Sequence, residues 1–124
     1  MDRYQFLYDH LATEGVITKE AVDAALEDWE ILEATTDDGD LIGIVMAKGS
    51  EVHLCARPEH YKRCLTRRNA KQLLWPIFEK HGYLTTRIRL SSFSKQKFVE
   101  RAGFQKTWAD DRFVYYMMTE KPYA

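Results

Sequence analysis

Only two cysteines, Cys55 and Cys64, occur in the 124 residues. That is too few for a disulfide framework and suggests thiols kept reduced. No apolar run approaches the roughly 20 residues that a membrane helix requires. The opening MDRYQFLYDH has neither the basic head nor the apolar core of a secretory signal. The expectation is a cytoplasmic protein with no membrane contact. No linker, internal repeat or low-complexity stretch interrupts the chain, so residues 1–124 are expected to form a single domain. What is present is 45% hydrophobic and 13% aromatic, which excludes a disordered chain, a collagen and a coiled coil.

The net charge of −1 conceals a strong asymmetry. Residues 1–51 carry 13 acidic and 3 basic side chains, whereas residues 52–124 carry 15 basic and 6 acidic ones. Such a division suits a second half that meets an anion, a first half that meets a cation, or two halves that meet each other.

Hydrophobic spacing sets the element order. Tyr4, Leu7, Tyr8 and Leu11 share one helix face, with Asp2 as N-cap, Gln5 at the capping-box position and Gly15 as the stop. Val22, Ala25, Leu26 and Trp29 form a second such face behind a Thr18 cap. Glu30–Thr36 and Leu41–Ala47 flank the turn Asp37-Asp38-Gly39-Asp40 and read as a hairpin, its second strand apolar throughout and covered on both faces. In the strand Glu51–Ala56, Val52, Leu54 and Ala56 face one way and His53 and Cys55 the other. Arg57-Pro58 ends it. A long helix is expected next, from Tyr61 to Phe78, kinked at Pro76 and stopped by Gly82. Leu84, Thr86, Ile88 and Leu90 then mark a strand, Ser92 or Ser94 caps a short helix ending at Gly103, and the strands Phe104–Ala109 and Phe113–Thr119 pair around Asp110-Asp111-Arg112. The order α-α-β-β-β-α-β-α-β-β implies an α/β fold with a mixed sheet of about six strands. Its middle β-α-β is a parallel crossover, its outer pairs are antiparallel, and helices lie on both faces.

This order resembles that of the GNAT family of N-acetyltransferases. The segment Glu51-Val52-His53-Leu54-Cys55-Ala56-Arg57-Pro58-Glu59 is similar to the family's fourth strand and its V-x-P-E exit, and Phe98-Val99-Glu100-Arg101-Ala102-Gly103-Phe104 to the F-Y-x-x-x-G-F that closes the last helix. The short layout also resembles small acetyltransferase-like proteins of tailed phages. The resemblance covers nearly the whole chain. It implies acetyl transfer from acetyl-CoA to an amine, with the pantetheine arm entering between two splayed strands and pairing with backbone around Cys55, Ala56 and Arg57. The pyrophosphate would lie on a glycine-containing loop at a helix N-terminus, where free N–H groups and the helix dipole favour an anion.

Two features depart from that pattern. Between Pro58 and Leu74 there is no glycine. A diphosphate there would have to be held by side-chain charge, and Arg63, Arg67 and Arg68 are the cofactor-binding candidates, among a basic run that also includes Arg57, Lys62 and Lys71. A solvated basic face or a patch for an acidic partner is the other reading of the same residues. Val99 stands where many family members place a tyrosine that protonates the departing thiolate. Tyr115 and Tyr116 are the nearest substitutes on the last strand, and Tyr116 is the candidate acid. Glu51 stands near the position of the family's general base, and His53 is the next catalytic candidate, because imidazole titrates in the useful range.

His53 and Cys55 on a strand, with His60 and Cys64 on a helix, are ligand types that suit zinc. Their spacing matches no zinc signature, and no metal is expected. Nucleic acid is an unlikely partner: no helix-turn-helix or finger motif occurs, and the acidic half opposes a polyanion. Two functional readings follow. One is an acyl-CoA-dependent N-acyltransferase acting on a small-molecule or protein amine, with a rebuilt phosphate loop. The other is a non-catalytic protein of the same fold that works by contact with a protein partner, or as a homodimer, through its oppositely charged halves.

Overall fold

Why the sheet opens in its middle is the question that connects this sequence to a site. The computed structural model describes residues 3–13 and 18–123. Two helices, α1 (Arg3–Thr13) and α2 (Lys19–Asp28), precede three strands, β1 (Glu30–Thr35), β2 (Leu41–Lys48) and β3 (Glu51–Ala56). A 3-10 turn (Pro58–His60) leads into three short helices, α3 (Tyr61–Cys64), α4 (Arg67–Leu73) and α5 (Trp75–His81). Then come β4 (Leu84–Arg89), α6 (Phe93–Arg101), β5 (Gln105–Ala109) and β6 (Phe113–Met118). The expected order and strand count match, as does the placement of helices on both faces. The Asp2 cap and the Gly15 stop lie outside the described residues.

The six strands are ordered β1-β2-β3-β4-β6-β5, antiparallel except where β3 and β4 run parallel. On one face α1 and α2 cover β1 to β3, burying Phe6, Leu7, Ile44, Met46 and Cys55 together. The opposite face carries α3 to α6 over Val45, Val52, Leu54, Leu84, Ile88 and Val114, with Leu74, Trp75 and Val99 from the helices. Strand β2 is buried from both sides, as its unbroken apolar run requires. Thr18 caps α2 by accepting the Ala21 N–H at 3.2 Å.

Three local expectations are corrected. The inward face of α1 pairs Leu7 with Phe6, while Tyr8 is 44% exposed, because the helix lies on two adjacent strands and favours the two consecutive apolar residues. The long helix from Tyr61 is three helices. It breaks at Leu65 (φ −117°, ψ 53°), behind which Thr66 caps α4 by accepting the Asn69 N–H, and again at Leu74. Pro76 consequently lies in the first turn of α5, directly behind the break at Leu74, where its missing N–H removes no bond within that helix. Ser92 occupies the N-cap of α6 without a side-chain cap bond; the Gln96 amide instead reaches back to the Arg89 and Leu90 carbonyls at 2.9 and 3.0 Å.

Asn69 holds the first of these breaks together. Its buried side-chain amide donates to the carbonyls of Thr35 (3.0 Å), Cys64 (3.0 Å) and Arg63 (3.4 Å), tying α3 and α4 to the end of β1. Gly43 allows the same layer to close from below: a Cβ there would stand 2.9 Å from both the Ala56 Cβ and the Cys64 Sγ.

Candidate active site

Strands β3 and β4 are in register at Glu51 and Thr85 alone, and the Thr85 N–H donates to the Ser50 carbonyl at 2.9 Å. Beyond that point, among the described residues, the strand that pairs with β3 to its end at Ala56 is β2. Its edge toward β4 therefore presents backbone groups with no strand opposite, which require some other partner.

The opening is lined by side chains from both strands and from the helices above them. Val52, His53 and Leu54 of β3 and Thr86 of β4 face Leu65, Leu74, Phe98 and Val99 across an apolar seam whose free volume is about 30 Å³. Roomier clefts lie at its two ends. On the side of α1, a cleft of about 290 Å³ is lined by Cys55, Ala56, Arg57, Tyr61, Ser92 and Lys95. On the other side, a groove of about 400 Å³ is lined by Lys62, Arg67, Trp75, Phe98, Arg101 and Tyr123. This groove shares Leu65, Leu74, Phe98 and Ala102 with the seam, so the two are continuous. The Tyr61 and Phe98 rings, centroids 5.2 Å apart, stand between the seam and the α1-side cleft.

At the closed end of the opening, Glu51 Oε2 and His53 Nε2 lie 2.5 Å apart. His53 is buried, with its ring edge against Trp29 at 5.4 Å, whereas the Glu51 side chain is 40% exposed. The hydrogen bond from His53 holds the Glu51 carboxyl below the usual carboxylate range, helped by the charges of His53, Arg87 and Lys48, and only partly opposed by burial. An ionised carboxylate thus stands beside the Glu51–Thr85 pair, held in place by the buried His53 imidazole, which itself lines the seam.

The other residues singled out in the sequence divide. Cys55, Ala56 and Arg57 all line the α1-side cleft, and Arg57 reaches Glu59 at 3.9 Å. Arg67 lines the cationic groove, its guanidinium 4.8 Å from the centre of the Tyr123 ring. Arg63 is exposed on α3 and lines none of these spaces. Arg68 is turned the other way, donating to the Thr35 carbonyl at 3.0 Å and lying 3.5 Å from Asp37, so that it fastens α4 to the β1–β2 hairpin. The Tyr116 hydroxyl donates to Glu100 at 2.6 Å, away from the seam lining, and burial together with that carboxylate raises its pKa strongly. Val99 lines the seam, and no proton donor stands at its position. The four zinc-type residues do not converge: Cys64 packs beneath Gly43 with its thiol pushed up to about 11 by burial, and among the described residues no group of three or more His, Cys, Asp or Glu could hold a metal.

Sequence reasoning missed Trp75 and Arg101. The Trp75 indole N–H is buried, has no hydrogen-bond partner among the described residues, and belongs to a residue lining the cationic groove. Arg101 lies inside the very F-V-E-R-A-G-F segment that carried the family resemblance, but nothing in a linear string shows that the end of α6 meets α3 and α4. A groove with an apolar floor, three cations and an unmet buried donor suits a ligand that combines phosphates with an apolar arm. The residues present therefore fit an acyl-CoA. Lys62, Arg67 and Arg101 would meet its phosphates, and the open edge of β3 would meet its amide-bearing arm.

Comparison with solved structures defines the class of fold: the chain has the GNAT acetyltransferase fold. A spermidine N-acetyltransferase variant from Vibrio cholerae superposes with a TM-score of 0.64 at 11% identity, over 93% of this chain and 88% of that one. The ribosomal-protein-S18-alanine N-acetyltransferase from Escherichia coli gives 0.59 at 12% identity, over 93% and 86%. A GNAT family acetyltransferase from Elizabethkingia anophelis, solved with acetyl-CoA bound, gives 0.52 at 15% identity, over 82% of each chain. No family model matches the sequence, and no curated protein matches it. Among the described residues no helix is long and apolar enough to cross a membrane.

Proposed function

We propose that the chain is an N-acyltransferase that moves an acyl group from acyl-CoA to an amine. The observation that carries this reading is the seam between β3 and β4, held closed at Glu51–Thr85, open beyond it, and continuous with a groove that gathers Lys62, Arg67 and Arg101. When bound, an acyl-CoA supplies an electrophilic thioester carbonyl. The acceptor nitrogen bonds to that carbon, the carbon–sulfur bond breaks, and the amine proton passes to Glu51. The Glu51 carboxylate, held below the usual carboxylate range by His53, is ionised at neutral pH, and it is exposed enough to meet an amine directly or through one water. The apolar seam excludes bulk water from the thioester and aligns the two reactants, which supplies much of the rate. A departing thiolate with an ordinary thiol pKa of about 8.5 leaves without a positioned acid at moderately alkaline pH, consistent with Val99 at the place of the usual tyrosine.

The phosphates are held here by side chains, with Lys62 and Arg101 in place of Arg63 and Arg68. Calorimetric titration with acetyl-CoA tests this. The wild-type chain is expected to bind, and Arg67→Glu/Arg101→Glu to lose that binding while keeping its unfolding midpoint; equal affinity in the two would overturn the assignment. The protein-contact reading is favoured by no comparable observation: the two charged halves already meet within the chain, in the Arg68–Asp37 pair and the Glu51–His53 contact.

A further inference from the structure

Among the described residues, the helices on the Glu51 face of the sheet cover β1 to β3 and stop short of β4, β6 and the exposed β5. Register places a row of side chains across this open part. Arg87 is opposite Tyr115, and Tyr115 opposite Trp108; one step along, Arg89 is opposite Phe113. Because Glu51 pairs with Thr85, two residues before Arg87, this row lies on the same face as the Glu51 carboxylate and next to it.

Two features of the row are unusual for a surface without a ligand. Trp108 lies flat on Tyr115 (centroids 4.4 Å apart, planes 5° apart) and is still 57% exposed, so one broad side of the indole is covered and the other faces solvent. Arg87, Arg89 and Arg112 place their guanidinium carbons 4.4, 5.6 and 5.6 Å from the centre of the single Phe113 ring. Three like charges gathered this closely repel one another. Arg87 and Arg112 form no salt bridge among the described residues. Asp110 in the turn accepts from the Arg112 and Phe113 N–H groups at 2.8 and 2.7 Å and from the Tyr115 hydroxyl at 2.8 Å. Its charge also bears on Arg112, and that of Glu51 on Arg87; with the quadrupole of one ring they offset part of the repulsion. An arriving anion would remove it, and guanidinium groups pair with carboxylate or phosphate in two-point fashion.

We infer that this face recognises an acceptor amine that also carries an anionic group, a carboxylate or a phosphate, with Arg87, Arg89 and Arg112 meeting the anion and Trp108 covering the acceptor's apolar portion. The amine half of this statement rests on the N-acyltransferase reading; the anion half does not. The same charges disfavour a polycation, so the likeness to a spermidine N-acetyltransferase would not extend to its acceptor.

The test uses the full chain and four probes: O-phosphoethanolamine, the dipeptide Glu-Glu, phenyl phosphate and spermidine. Binding is read from tryptophan fluorescence, with Trp108→Phe as the optical control, and turnover from thiol release by acetyl-CoA. The expected result is a fluorescence change with phenyl phosphate and with at least one anionic amine. That change disappears in Arg87→Glu/Arg112→Glu, and kcat/KM for the anionic amine exceeds that for spermidine by tenfold or more. O-phosphoethanolamine and Glu-Glu separate a phosphate from a carboxylate as the preferred anion. A preference for spermidine, or anion affinity unchanged by the double charge reversal, overturns the proposal. Anion binding that the double variant abolishes, with no thiol release for any amine, overturns the acyltransfer reading and leaves the face as an anion site.

Discussion

Glu51 faces Thr85 across the one point where β3 and β4 are in register, and every feature of the candidate site radiates from that pair. The pair lies at the start of β3, and downstream of it the sheet opens toward Cys55, Ala56 and Arg57. The carboxylate stands at the hinge of the opening, with His53 beside it.

Replacing that carboxylate separates chemistry from fold. Glu51→Gln is expected to lower kcat by about 10²- to 10⁴-fold, the range for a positioned general base. At pH 7 the folded variant should be modestly less stable, because the ionised carboxylate's bond to His53 is lost. Because the folded-state pKa of Glu51 lies below its ordinary value of 4.5, the stability linked to it is present above that value and is lost as pH falls through the lower folded value. The midpoint of thermal unfolding should therefore fall less steeply below pH 4.5 in Glu51→Gln than in wild type.

Tyr116→Phe is expected to keep near wild-type turnover, since the hydroxyl is committed to Glu100. Losing that charge-assisted hydrogen bond should cost about 1.5–3 kcal/mol, read from urea denaturation. A loss of kcat by a hundredfold or more in a folded Tyr116→Phe would return this residue to the acid's role.

Asn69→Ala leaves the buried Cys64 carbonyl without its side-chain donor and the Thr35 carbonyl with Arg68 alone. The expected destabilisation is about 2–4 kcal/mol by denaturant titration. Gly43→Ala fails for the opposite reason: its new methyl would press on Ala56 and Cys64 at 2.9 Å, at a cost of about 1–3 kcal/mol.

Phe98→Ala should part the ring pair with Tyr61 that separates the α1-side cleft from the seam. The variant is expected to be less stable by urea denaturation, yet to associate with acetyl-CoA faster in stopped-flow measurements, because a seam of about 30 Å³ must widen before an acyl arm can enter.

Most of the fold was legible because it depends on local periodicity. The alternation in Glu51–Ala56 and the unbroken apolar run of β2 specify which faces are buried, and the structure buries them. The break at Leu65–Thr66 was not legible. It is fixed by the Asn69 amide reaching Thr35, 34 residues earlier in the chain, and a helical pattern read along the sequence carries no record of such a bond. The candidate site divides in the same way. Glu51 and His53 adjoin each other on one strand face, so their pairing follows from a period of two. The cations of the groove come from α3, α4 and α6, and only the tertiary fold decides that Arg68 turns to the hairpin while Arg101 turns inward.

The central claim is that the edge of β3 facing β4, beyond the Glu51–Thr85 pair, receives the arm of an acyl-CoA. Amide hydrogen exchange, followed residue by residue with and without coenzyme A, measures it directly. Added coenzyme should slow exchange between Leu54 and Arg57, with a smaller effect around Arg67 and Arg101, and leave β5 unchanged. Exchange along β3 that stays the same at saturating coenzyme would contradict the account.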